Sequence, residues 1–293
     1  MKILVTGSDG QLGRALKKIL PTKDTFFTTR QILDITNKKQ TVQQIINYRP
    51  DIVIHTAAYT DVDGCEKNRT LAYSINVEGT KNVVLGCQKI DALMVYISTD
   101  FIFDGKKKTP YRENDNPNPV SYYGQTKLEG EKEVKKLKRY LIIRTSWVFG
   151  EGKNFVQTIL NLSKTKKEIS VVDDQIGRPT YAFDLAKGIY KLIQNSNLKM
   201  QNDNSKLKIK TLSGIYNIVN QGSCSWYEFA KEIVEIKDLK TKIVPIKAKD
   251  WLKIKPDSAK RPAYSVLDST KLKKAGIILK PWQEALKEYL KVS

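Results

Sequence analysis

Val5-Thr6-Gly7-Ser8-Asp9-Gly10-Gln11-Leu12-Gly13 decides the fold. An apolar run, Ile3-Leu4-Val5, leads into it. An amphipathic stretch over residues 11–20 leaves it, with Leu12, Leu16, Ile19 and Leu20 on one face. A strand that feeds a helix through Gly7, Gly10 and Gly13 brings backbone close to a pyrophosphate. The glycines allow the tight turn and put no Cβ in the way, and the first helical N–H groups face the anion. The spacing is G-x-x-G-x-x-G. Its place between a buried-type strand and an amphipathic helix gives it meaning, more than the glycines alone.

The same alternation continues outward. Residues 25–28, 52–56, 93–98 and 140–145 read as strands, and residues 41–48, 71–90 and 122–137 as helices. The helix over 41–48 stops ahead of Pro50. Strands separated by helices predict an α/β fold with a doubly wound, Rossmann-type parallel sheet. Ile52-Val53-Ile54 and Leu93-Met94-Val95-Tyr96-Ile97 lack polar alternation, as strands covered on both faces do. The composition shifts near Gly150. Residues 1–149 are therefore expected to form an NAD(P)-binding domain. Residues 150–293 are expected to form mainly a smaller, mixed α/β substrate-binding domain, with some segments returning to the first. In that second half, residues 154–163, 181–193, 225–236 and 281–290 read as helices. Ser225-Trp226-Tyr227-Glu228 has the form of a capping box. Residues 195–211, rich in Asn and Lys, read as a surface loop or insertion.

Composition narrows the function. The chain has 293 residues with a 40% hydrophobic share, enough for a buried core. A single histidine, His55, excludes a His-rich metal site and reads as a strand-end residue. Three scattered cysteines with no C-x-x-C pair suggest neither a disulfide framework nor zinc. No apolar run approaches the ~20 residues of a membrane span, and no secretory segment follows Met1, so a cytoplasmic protein is expected. The net charge is +20. Its lysines are scattered, often at helical spacing from Glu129, Glu131 and Glu133, which reads as a solvated basic surface and not a nucleic-acid module.

The second strand ends Phe27-Thr28-Thr29-Arg30. An acid at that point suits the ribose hydroxyls of NAD, whereas a base suits a 2′-phosphate. Arg30 therefore points to NADPH, with NADH as the alternative donor. Asp34 is a candidate for the adenine side of the pocket. Ala57 and Ala58, just past a strand end, are small enough for a ribose or nicotinamide to pack on their backbone.

Y-x-x-x-K occurs at Tyr123-Lys127 and at Tyr227-Lys231. Only the first lies in the doubly wound half, behind Ser98-Thr99-Asp100 at a strand end, and Tyr227 reads as packing. At i, i+4 the phenol and the ammonium share a helix face. The ammonium is expected to lower the phenol pKa, so that Tyr123 exchanges a proton with a carbonyl oxygen. Lys127 can also hold a ribose, and Thr99 offers a hydroxyl to the substrate oxygen.

Together these segments resemble the extended short-chain dehydrogenase/reductase superfamily and, within it, the dTDP-4-dehydrorhamnose reductase family. The likeness runs over nearly the whole chain. It rests on residues 6–13, Thr56-Ala-Ala-Tyr-Thr-Asp-Val-Asp63, Asn76-Val-Glu-Gly-Thr80, residues 96–105, Tyr123-Gly-Gln-Thr-Lys127 and Arg144-Thr-Ser-Trp147. The more specific segments are Val172-Asp-Asp-Gln-Ile-Gly-Arg-Pro-Thr180 and Gly222-Ser-Cys-Ser-Trp226. The resemblance implies reduction of the C4 keto group of dTDP-4-dehydro-L-rhamnose to dTDP-L-rhamnose. Tyr123 is then the proton donor, Lys127 its partner and ribose ligand, and Thr99 the carbonyl-tuning hydroxyl. Gln11, Leu12, Asp34, Ile35, Ala57, Ala58 and Tyr59 match cofactor-contacting positions. Asp100 and Trp147 match sugar-contacting ones, and Asn154 and Arg178 lie in loops that could meet the diphosphate. The family often carries an acid at the position of Thr29, and some members pair through a magnesium held by a glutamate at the position of Ala15. A metal-bridged dimer is therefore not expected. The expected partner is a dTDP-sugar, with no nucleic acid, membrane or metal, in a monomer or homodimer. Nucleotide-sugar dehydratases of the superfamily carry Asp-Glu where this chain has Asp100-Phe101, which argues against elimination. Two alternatives remain: a reductase of another nucleotide-linked 4-keto-6-deoxy sugar, and a non-catalytic NADP-binding subunit.

Overall fold

The computed structural model describes residues 1–201 and 213–292. Its main sheet holds β1 (Ile3–Thr6), β2 (Thr25–Thr28), β3 (Ile52–His55), β4 (Leu93–Thr99) and β5 (Tyr140–Thr145), with Gly214–Asn217 as a sixth strand. All neighbours run parallel, in the order β2-β1-β3-β4-β5 and then Gly214–Asn217. The helices between them are α1 (Gln11–Lys17), α2 (Lys38–Tyr48), α3 (Val62–Lys67), α4 (Arg69–Tyr73), α5 (Thr80–Ile90) and α6 (Tyr122–Val134).

Side chains alternate through the sheet, yet both faces are buried. Ile3, Val5, Ile54, Val95 and Ile143 pack with α1 and with the helix Ala182–Gln201. Leu4, Val53, Met94 and Ile142 pack with Ile45 of α2, Val83, Val84 and Cys87 of α5, and Val134 of α6. This double covering is why the central strands read as continuous apolar runs. A second core joins Phe149, Ile159, Ile169, Phe229, Ile233 and Leu286. There the parallel pair Glu168–Val172 and Lys242–Ile246 lies among the helices Phe155–Ser163, Trp226–Ile236 and Trp282–Val292.

Several elements differ from their sequence reading. The helix expected over 71–90 is α4, then a π-turn over Ser74–Gly79, then α5. π-turns carry no simple composition signal and concentrate at functional sites. The helix expected to end at residue 193 runs to Gln201, so 195–201 are helical and not loop. The remainder of that expected loop, 202–211, lies outside the described residues. The strand Glu168–Val172 is absent from the sequence reading although Ile169 and Val171 alternate with Glu168 and Ser170, and the six residues of α3 are too few to show a helical period.

Candidate active site

The sheet order reverses between β1 and β3, and the crevice beyond their carboxyl ends is where such sheets take ligands. The glycine loop lies at that reversal. Gly7 has φ +66°, and a Cβ there would sit 2.7 Å from the backbone N and Cα of Ala57. A Cβ on Gly13 would fall 2.5 Å from the Gly7 carbonyl oxygen. These two glycines are required by the protein itself. Gly10, the N-cap of α1, would carry a Cβ no closer than 3.4 Å to any protein atom. Its bareness leaves room for the close approach that a pyrophosphate needs. Buried oxygens of Ser8 and Gln11 also lack protein partners. The loop thus fits a dinucleotide.

Around it, Thr56 Oγ1 donates to the carbonyl of Thr6 (2.6 Å), which fastens the segment holding Ala57, Ala58 and Tyr59 to the loop. Asn76, in the π-turn, bridges onward. Its Oδ1 accepts the Tyr59 N–H at 2.8 Å, and its Nδ2 donates to the Tyr59 carbonyl and to Thr126 Oγ1, both at 3.0 Å. Thr126 lies on α6 in the turn between Tyr123 and Lys127. One buried amide therefore couples the glycine-loop side of the crevice to α6. The sequence reading assigned Asn76 no role. Its signal is a polar residue within the buried face of 71–90, beside Ala72, Val77 and Val83.

Leu12 is buried in the sheet core and anchors α1. Ile35 packs on the π-turn, where a Cβ on Gly79 would meet its Cδ1 at 2.7 Å. Asp34 accepts the Thr36 hydroxyl at 2.7 Å and the Thr36 N–H, and these bonds hold its carboxyl below the usual range. Arg30 lies 4.0 Å from Asp34 with its side chain 72% exposed, open to an anion from solvent.

α6 starts with Ser121 as N-cap, its hydroxyl accepting the Gly124 N–H, and carries Tyr123 and Lys127 inward, both buried. Burial pushes the Tyr123 phenol up, and a hydrogen bond with Thr99 only partly opposes this. The expected lowering by Lys127 is therefore corrected. Desolvation dominates, and the ammonium faces elsewhere, with Nζ 4.1 Å above the Tyr96 ring. Burial in turn pulls Lys127 down to about 7, against the pull of Glu131. Thr99 ends β4. Its hydroxyl donates to Asp100 Oδ1 at 3.0 Å and accepts the Phe101 N–H at 3.2 Å. Burial raises Asp100 to about 6, and its Oδ2 has no partner. Phenol, threonine hydroxyl and carboxyl thus converge at the carboxyl end of β4.

One turn beyond Lys127, Glu131 forms a fully buried pair with Arg144 of β5, at 2.9 and 2.8 Å, and accepts Ser98 Oγ at 2.6 Å. Such a pair is costly to break by removing one partner, and it ties α6 to both β4 and β5. His55 is buried and neutral, its pKa pulled down to about 3 by burial, between Thr6 and Thr80 hydroxyls at 2.7 and 3.2 Å.

The remaining expected residues divide. Trp147 follows β5 with φ +46°, stacked on Trp226. Arg178 has a buried Nε with no partner, and burial pulls its pKa down. Asn154 is not brought to the crevice as a ligand. Its Oδ1 caps the helix Phe155–Ser163 through the Gln157 N–H, and its amide donates to the carbonyls of Gly150 and Gly152. An Asn one residue ahead of an apolar run signals an N-cap, and that role takes both ends of the side chain. Tyr227 packs in the second core. Among the described residues no cluster of His, Cys, Asp and Glu could hold a metal ion, and no helix is long and apolar enough to cross a membrane.

The whole of residues 1–293 matches the family model described as the RmlD substrate binding domain. The spore coat polysaccharide biosynthesis protein SpsK of Bacillus subtilis is 41% identical over 293 residues, covering 99% of this chain and 96% of that protein. The dTDP-4-dehydrorhamnose reductase of Aggregatibacter actinomycetemcomitans is 39% identical, covering 98% and 97%. A crystal structure of dTDP-4-dehydrorhamnose reductase from Bacillus anthracis in complex with NADP superimposes with a TM-score of 0.90 at 40% identity, covering all of both chains.

Proposed function

The chain belongs to the dTDP-4-dehydrorhamnose reductase family, and from this premise we propose that Tyr123, Lys127 and Thr99 carry its reaction, the NAD(P)H-dependent reduction of the C4 keto group of dTDP-4-dehydro-L-rhamnose to dTDP-L-rhamnose. The observation that carries this reading is the convergence of the Tyr123 phenol on Thr99 beside an unpartnered Asp100 oxygen, at the end of the strand that borders the nucleotide crevice. A nicotinamide bound there supplies the hydride. The chain supplies position and a proton. Reduction needs an acid at the carbonyl oxygen, and a phenol kept neutral by burial is that acid at neutral pH. Thr99 orients the oxygen. As Tyr123 gives up its proton, the Thr99 hydroxyl bonded to it favours the phenolate left behind, and Lys127, buried one turn along the same helix, is kept for the ribose.

For the cofactor, Gly7, Gly10, Gln11, Leu12 and Gly13 cradle the pyrophosphate. Asp34 and Ile35 line the adenine side, and Ala57, Ala58 and Tyr59 lie against the nicotinamide half. Arg30, exposed and 4.0 Å from the Asp34 carboxylate, favours the 2′-phosphate of NADPH. For the sugar nucleotide, Asp100 and Trp147 contact the hexose. Arg178, a half-buried guanidinium with an idle Nε, fits the diphosphate. Residues 1–149 form the cofactor domain, joined by the helix Ala182–Gln201, the strand Gly214–Asn217 and the segment carrying Leu272, Ile277 and Leu279, and the rest forms mainly the sugar-nucleotide domain. The test is oxidation of NADPH and of NADH with dTDP-linked and UDP-linked 4-keto-6-deoxy sugars. Turnover is expected with the dTDP sugar, faster with NADPH. Tight NADPH binding without turnover of any keto sugar overturns the reading in favour of a binding subunit.

A further inference from the structure

Trp147 is one of few non-glycine residues with positive φ, at +46°, a conformation that persists only when its surroundings fix it. Two distant segments do so. A Cβ on Gly177 would lie 2.3 Å from Cε2 of the Trp147 indole, so the bare backbone at 177 is what gives the ring its place. Gly177 is itself registered opposite Cys224 in the short antiparallel pair of Ile176–Gly177 with Cys224–Ser225. The next residue, Trp226, lays its indole flat on that of Trp147, centroids 3.5 Å apart and planes within 6°. Trp226 is the first residue of its helix, after a complete capping box made by Ser225 and Glu228, and it also meets the rings of Phe155, at 4.6 Å, and Phe229, at 6.4 Å. Trp147 lies two residues beyond Thr145, which pairs with Thr99 across β4 and β5, so the stack follows the strand end that carries Thr99.

We infer that Trp226 is a positioning residue for the sugar nucleotide: its flat ring holds the strained Trp147 indole at the mouth of the site, and a planar aromatic at 226 is required for tight binding of the dTDP-sugar. This rests on the reading of Trp147 as a sugar contact. Cofactor binding, on the far side of the crevice, is independent of it.

Titration calorimetry with dTDP-L-rhamnose on the NADP⁺-loaded enzyme tests it. Trp226→Leu keeps an apolar side chain and removes the flat face. It is expected to weaken binding about three- to tenfold, the range an aromatic pair supports, with the NADPH Kd unchanged and kcat within about twofold. Trp226→Phe is expected to recover most of the loss. The pair Trp147→Leu and Trp147→Leu/Trp226→Leu are expected to bind alike, because Trp226 acts through Trp147. Wild-type affinity in Trp226→Leu overturns the inference. So does strict additivity in the double variant, or a parallel loss of NADPH binding, which marks general unfolding. A wild type that binds dTDP-L-rhamnose but does not reduce the keto sugar overturns the reductase reading and leaves this one standing.

Discussion

Tyr123 keeps its proton because it is buried, and Lys127 sheds its own for the same reason. Tyr123→Phe is expected to lower kcat by ~10²-fold or more with the NADPH Kd unchanged, read by NADPH oxidation and by fluorescence titration. For Lys127 the sign runs with pH. Its folded pKa of about 7 lies below the ordinary 10.5, so the unfolded chain holds a proton that the folded chain has lost between those values, and stability rises with pH across that window. Below about 7 the ammonium is buried at full cost. Lys127→Met is therefore expected to raise Tm most below pH 7, with the gain fading toward pH 10.5, while turnover falls; thermal melts across pH check it. Arg30→Ala is expected to raise the KM for NADPH about tenfold and leave that for NADH nearly unchanged. Tyr123, Lys127 and Thr99 could be singled out because, of two Y-x-x-x-K spacings, only theirs follows a Ser-Thr-Asp strand end in the half with alternating strands and helices. The direction of the phenol shift was not, since desolvation depends on what covers a group, and sequence spacing does not report that. The cap bonds of Asn154 were hidden for a related reason: a polar residue in a loop looks free until its partners are drawn.

At the scale of elements, α6 is seated by absences as much as by contacts. Gly130 faces β4 so closely that a Cβ would lie 2.2 Å from the Tyr96 hydroxyl oxygen and 2.8 Å from its ring carbon Cζ. Gly130→Ala is expected to cost about 1–3 kcal/mol in chemical denaturation and to lower kcat by displacing Tyr123 and Lys127. Adding Tyr96→Phe removes the nearest atom and is expected to restore part of both. Gly124 differs, because its Cβ would meet the Phe101 carbonyl oxygen at 2.1 Å, which no side-chain change relieves. Strand and helix order was readable because apolar runs and amphipathic stretches alternate cleanly before residue 150. The π-turn at 74–79 was not, since the i→i+5 bonding that makes it leaves no mark in apolar spacing, and the apolar pattern runs on through it into α5.

Across the whole molecule, the sheet of the cofactor half is closed on one side by Gly214–Asn217, bonded in parallel to β5. One of its faces is covered by Leu185, Ala186, Ile189 and Leu192 of the helix Ala182–Gln201. A fragment of residues 1–149 would leave the outer edge of β5 unpaired and that apolar face bare. It is expected to aggregate and to bind no NADPH, whereas the intact chain does, as sedimentation and fluorescence titration would show. The first half of the sequence thus carries every glycine of the nucleotide loop and still lacks a finished platform to hold it. During translation, the segment that contributes Trp147, Gly177 and Arg178 must leave the ribosome before the last strand arrives. Nascent chains therefore hold Trp147, Gly177 and Arg178 before Gly214–Asn217 completes the main sheet, whereas Trp226, which stacks on Trp147, is made only after that strand.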